Sequence, residues 1–65
     1  SESALGKLLD SDSRRLNYAA VAGLAGMNSP QGLAILREAS RNHPDERVRR
    51  LIDAKLKTAN GVSGL

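Results

Sequence analysis

Leu16-Asn17-Tyr18-Ala19-Ala20-Val21-Ala22-Gly23-Leu24-Ala25-Gly26-Met27 contains no charged residue, and its reading decides the fold. Leu16, Ala20, Gly23, Leu24 and Met27 recur at helical spacing and form one apolar stripe. Tyr18, Val21, Ala22 and Ala25 make the opposite face apolar as well. A helix that is apolar all round is expected to be covered on several sides, so this stretch predicts a buried central helix.

Working outward, Asp10-Ser11-Asp12-Ser13 is rich in side chains that compete with helical backbone for hydrogen bonds, and either Asp12 or Ser13 can cap the central helix. Before that break, Leu5, Leu8 and Leu9 supply the stripe of a short first helix over Ser3 to Leu9, with Glu2 suited to its first turn. Arg14 and Arg15 ride on the first turn of the second helix, the unfavourable end for positive charge. On the other side, Gly26 or Asn28 can end the central helix in a left-handed conformation. Ser29-Pro30 is an N-cap followed by proline at the first helical position, so a third helix folds back at once. Gly32, Ile35, Leu36 and Ala39 face inward on that helix, Arg37, Glu38 and Arg41 face outward, and Asn42-His43-Pro44 stops it. Asp45 caps a fourth helix whose stripe is Val48, Leu51, Ile52, Leu56 and Ala59, and Asn60-Gly61 ends it. Residues 61–65 read as a flexible tail or linker.

The chain is long enough for one domain, which at this size buries only about 60% of its surface. There is no cysteine to form disulfides or hold zinc, and a single histidine does not build a metal site, so no cofactor or metal is expected. No run reaches the roughly 20 apolar residues of a membrane span, and Ser1-Glu2-Ser3 lacks the features of a signal peptide. A cytoplasmic location is the expectation, and a cysteine-free domain folds equally well in the periplasm. The absence of an initiator methionine suggests a segment of a larger protein. The net charge of +3 is mild enough to serve solubility.

Aligning Leu16 with Val48 also aligns Ala19 with Leu51, Ala20 with Ile52 and Leu24 with Leu56, an internal repeat at an offset of 32 residues. Asp45-Glu46-Arg47-Val48-Arg49-Arg50-Leu51-Ile52-Asp53-Ala54-Lys55-Leu56 resembles the first helix of a HEAT-like repeat of the phycobilisome-lyase type. Asn28-Ser29-Pro30-Gln31-Gly32-Leu33-Ala34-Ile35-Leu36 is similar to that family's second helix, so the resemblance spans roughly residues 10–59. It implies an α-hairpin repeat in which Arg49 joins a ladder with turn aspartates such as Asp45. The earlier unit departs from the pattern, with Asn17 at the arginine position and Ser13 at the aspartate position.

The acids Asp10, Asp12, Asp45 and Glu46 stand at helix starts, where capping accounts for them, and His43 has no nucleophile in view, so no catalytic residue is expected. Arg37 and Arg41 share a face of the third helix, Arg50 and Lys57 lie opposite the apolar stripe of the fourth, and Arg47 lies at its edge. Arg49 and Asp53 are spaced for an i, i+4 pair. Lys55 falls inside the apolar stripe, so either its stem snorkels or that side is partly uncovered. In the second case parts of Val48, Leu51, Leu56 and Val62 form a strip open to a partner.

The expectation is therefore an all-α, four-helix HEAT-like bundle over residues 1–60, acting as a non-catalytic docking module for a protein partner or for the rest of its parent chain. Its partner-binding residues would be Arg47, Arg50, Lys55, Lys57, Arg37, Arg41, Val48 and Leu51. The alternative is an accessory nucleic-acid-binding domain that contacts phosphates through Arg37, Arg41, Arg47 and Arg50, with Tyr18 the one aromatic for stacking.

Overall fold

A computed structural model describes residues 2–59. They fold into four helices, α1 (Glu2–Leu9), α2 (Arg14–Met27), α3 (Pro30–Asn42) and α4 (Glu46–Ala59), packed as a small bundle. Ser13 caps α2, its hydroxyl accepting from the Leu16 amide. Asn28 ends α2 with φ 49°, the left-handed conformation that asparagine tolerates, and its N–H donates to the Ala25 carbonyl. Ser29 then caps α3 through the Gly32 amide, and Pro30 occupies the first turn, where its missing N–H costs nothing. The Ser29 hydroxyl also donates to the Glu2 carboxylate, tying the start of α1 to the α2–α3 turn. Glu2 is held below the usual carboxylate range first by a backbone hydrogen bond and then by this hydroxyl.

The core is Leu9, Ala20, Val21, Leu24, Leu36, Val48 and Ile52, with Leu5, Leu33, Ile35, Leu51 and Leu56 half-buried around it. α1 lies on Gly23, where an added Cβ would come within 3.0 Å of the Leu5 side chain. α3 approaches α2 closely at Gly32, whose Cβ would sit 3.2 Å from the Leu24 carbonyl oxygen. α2 and α4 run parallel. Their N-terminal ends are joined by the Arg14–Asp45 ion pair, and their C-terminal ends share one groove.

α2 is not covered on all sides. Its buried positions are Asn17, Ala20, Val21 and Leu24, while Leu16, Tyr18 and Met27 remain 40%, 38% and 42% exposed. Ala19, Ala22 and Gly26 are also exposed. The physical reason is that α1 runs along the Asn17–Gly23 side of α2 and the core takes the Ala20, Val21 and Leu24 face, which leaves the side with Tyr18, Ala19, Ala22 and Gly26 open. Gly26 faces open space, so its lack of a side chain serves no packing need. Gly26→Ala should raise stability by about 0.5–1 kcal/mol through helix propensity, read as a higher urea midpoint at unchanged slope.

The 32-residue offset reappears in the hydrogen bonds of two turns. The Ser13 N–H donates to Ser11 Oγ, and the Asp45 N–H donates to His43 Nδ1. Asn17 Nδ2 donates to the Ser11 carbonyl, and the Arg49 guanidinium donates to the His43 carbonyl. Each pair of partners lies 32 residues from its counterpart. Asn17 and Arg49 thus do the same work, satisfying a carbonyl of the turn before their own helix. The expected Asp45–Arg49 ladder is not formed, because Arg49 is turned to the His43 carbonyl and Asp45 pairs with Arg14. The Arg49–Asp53 pair is absent for the same reason, and Glu46–Arg50 is the i, i+4 pair of α4. The expectation for residues 61–65 lies outside the described residues.

Candidate functional site

Two features of the bundle have the chemistry of a site, one internal and one external. The internal one lies where the ends of all four helices meet. Asn17, 2% exposed, directs Nδ2 at the carbonyls of Leu8, Leu9 and Ser11 at 2.9–3.0 Å. Two N–H groups serve three acceptors, so at least one hydrogen bond is shared. His43 is buried in the α3–α4 turn. Its Nδ1 accepts from the Asp45 N–H, which leaves the proton on Nε2 to donate to the Leu9 carbonyl at 2.8 Å. Both lone pairs of the Leu9 oxygen are therefore used, one by α2 and one by the α3–α4 turn. Asn17 Nδ2 and both ring nitrogens of His43 answer backbone groups, so the junction is a structural clasp.

Asp45 closes the clasp on the outside. Its carboxylate accepts from Arg14 Nε at 2.9 Å and from the Arg47 amide at 2.9 Å. The Arg14 hydrogen bond is the main cause that holds its carboxyl below the usual carboxylate range, helped by the Arg47 and Val48 amides and opposed by desolvation. This explains Arg14, whose charge faces the unfavourable end of its own helix dipole. With its folded-state value depressed, Asp45 stabilises the fold above the unfolded carboxylate range, and that contribution disappears as pH falls through the folded value. The thermal midpoint of the native chain should therefore exceed that of Asp45→Asn at pH 7, and the gap should close below about pH 4. The pair is exposed, so added salt should narrow the gap at any pH.

The external feature is a groove of about 470 Å³ between the C-terminal halves of α2 and α4, lined by Ala22, Ala25, Gly26, Asn28, Lys55 and Thr58. Helical spacing extends its walls toward the N-terminal ends. Tyr18 lies one turn before Ala22, with Arg15 at the helix start, and Leu51 lies one turn before Lys55, with Arg47 a further turn away. The floor is small and apolar, Tyr18 and Leu51 add larger apolar surface, and the charged members Arg15, Arg47 and Lys55 are all cations. None of the three has an ion pair among the described residues.

The eight expected partner-binding residues are divided by this geometry. Arg47, Leu51 and Lys55 share the edge of α4 that meets α2. Val48 does not belong with them: it is fully buried, because the α4 stripe is centred on Val48 and Ile52 and turns both into the core. Of the other members of the expected strip, Leu51 and Leu56 are half-buried and Val62 lies outside the described residues. Arg50 and Lys57 point away from the core, Arg50 engaged by Glu46, and Arg37 and Arg41 are exposed on α3. Sequence reasoning missed the α2 wall, since Tyr18, Ala19, Ala22 and Gly26 have the composition of a core. The absence of any acid on α2 was the signal available.

A second groove of about 630 Å³ runs between α1 and α3 past Gly6, Ile35 and Ala39, with Lys7, Asp10 and Glu38 on its rim. Its charges are of both signs. Among the described residues, no group of three or more His, Cys, Asp or Glu side chains is placed to hold a metal ion, and no helix is long and apolar enough to cross a membrane. No family model matches the chain, and neither curated proteins nor solved structures provide a similar protein.

Proposed function

We propose that this chain is a non-catalytic docking module of HEAT-like design, which binds another protein, or another part of a longer chain, along the α2–α4 groove. One observation carries the reading: the side of α2 that meets the groove, Tyr18, Ala22, Ala25 and Gly26, has no charge beyond the first turn, and Tyr18, Ala22 and Gly26 on it are exposed. A soluble domain rarely leaves such a face open unless something covers it. The matched turns at 11–13 and 43–45 support the repeat reading, since a repeat unit exposes the face on which its neighbours or partners stack.

Panning a displayed random-peptide library against the whole chain tests the proposal. Selected peptides should lose binding to Ala22→Arg, which fills the groove from an exposed helical position, and keep it with Arg41→Glu on α3. A selection that yields no binder, or only binders indifferent to Ala22→Arg, refutes it.

The nucleic-acid alternative has less to stand on. Arg50 is engaged by Glu46, Arg37 and Arg41 stand on a different helix from Arg47, and the cations beside the groove are separated by apolar surface.

A further inference from the structure

We infer that the occupant of the α2–α4 groove is an acidic amphipathic helix of another protein. This inference rests on the docking reading above and adds the chemistry of the partner.

The walls decide the shape of the occupant. They are two parallel helices whose residues recur every turn, Tyr18, Ala22 and Ala25 on one side and Leu51, Lys55 and Thr58 on the other. A third helix packs its own ridges into such a groove, and the small side chains at Ala22, Ala25 and Gly26 let its backbone come close. The described residues contain no strand, so they offer no sheet edge to an extended peptide. From Arg47 to Thr58 the groove runs about 17 Å at the rise of an α-helix, which suits an occupant of three turns.

Charge decides its composition. Arg15 and Arg47 stand at one end and Lys55 lies two turns further along α4, all without an ion pair among the described residues. Two carboxylates at the start of α4 are already engaged, Asp45 by Arg14 and Glu46 by Arg50. α2 contributes no acid at all. An occupant with glutamate or aspartate at one end, and again about 12 Å along the same edge, would neutralise these cations while its apolar face covers Tyr18 and Leu51. A second copy of this chain would bring the same uncompensated cations together. A nucleic acid would leave the apolar floor between the cations without a complementary surface.

Three labelled helix-forming peptides of three to four turns test this by fluorescence anisotropy against the full chain. They share one apolar face and differ only in flanks of glutamate, glutamine or lysine. The glutamate peptide should bind at least tenfold tighter than the glutamine peptide at low salt, the gap should narrow as salt is added, and the lysine peptide should not bind. The double substitution Arg47→Gln with Lys55→Gln should bring the glutamate peptide to the level of the glutamine one, and Ala22→Arg should abolish both. Equal binding of the first two peptides, both lost in Ala22→Arg, overturns the acidic partner and leaves the docking reading standing. Binding of no peptide, or binding that ignores Ala22→Arg, overturns both. A mixed-sequence oligonucleotide held in the groove, or a concentration-dependent dimer that Ala22→Arg dissolves, overturns the inference in favour of that occupant.

Discussion

Asn17→Asp abolishes cooperative unfolding at neutral pH, because the chain no longer populates its native state. The substitution keeps the size and shape of the side chain, so packing around it is unchanged. It replaces an amide that donates to the Leu8, Leu9 and Ser11 carbonyls with a carboxylate that can only accept. A buried negative charge then faces three partly negative oxygens, at a site 2% exposed. Asn17→Leu removes the donors without adding charge and should cost about 1–3 kcal/mol, since the Ser11 carbonyl loses its partner while Leu8 keeps its bond from the Ser11 amide and Leu9 its bond from His43. A domain of this length holds in total about 3–10 kcal/mol at typical stability per residue. Far-UV circular dichroism with urea titration separates the two: a reduced midpoint for leucine and no folded baseline for aspartate. Native stability in Asn17→Asp would show that the amide is not the donor the geometry describes.

His43→Ala is the second large loss, about 2–4 kcal/mol from two broken hydrogen bonds and the cavity left behind. The ring bridges parts of the chain 34 residues apart, from the end of α1 to the start of α4. Alanine leaves the Asp45 N–H without its acceptor and the Leu9 oxygen with one donor fewer. Because each single variant leaves the Leu9 oxygen one donor and the double variant Asn17→Leu with His43→Ala leaves it none, the double should be more destabilised than the sum of the single ones. Strict additivity in a double-mutant cycle would mean that the two side chains act independently of that carbonyl. The alanine variant also distinguishes this role from catalysis, since its whole effect should appear in stability.

Most of the architecture could be read from local signals. Ser13, Asn28, Ser29-Pro30 and Asp45 mark helix ends by their capping chemistry, and each marks one in the fold. What periodicity could not supply was the number of neighbours. An apolar residue tolerates burial without requiring it, so the composition of α2 could not reveal that Tyr18, Ala22 and Gly26 face outward. The reverse held for Asn17 and His43, polar residues whose type predicts exposure, and whose partners are backbone carbonyls or amides that leave no mark on the sequence. Arg47, Leu51 and Lys55 were identifiable from the α4 pattern alone. The opposite wall of their groove was not, because it depends on how α2 and α4 stand side by side.

The Leu9 carbonyl, with both acceptor positions filled, has a consequence for motion. An eight-residue helix does not hold together alone in water, so α1 persists through its ties to the rest of the chain: Leu5 and Leu9 packed inward, Glu2 bonded to Ser29, and its last turn gripped from two directions. Its grips come from separate parts of the chain, and a fluctuation in either loosens it. In a hydrogen-exchange measurement the α1 amides should therefore exchange with solvent ahead of those in α2. Such exchange would make the molecule a three-helix body with a latch that opens while the body stays folded.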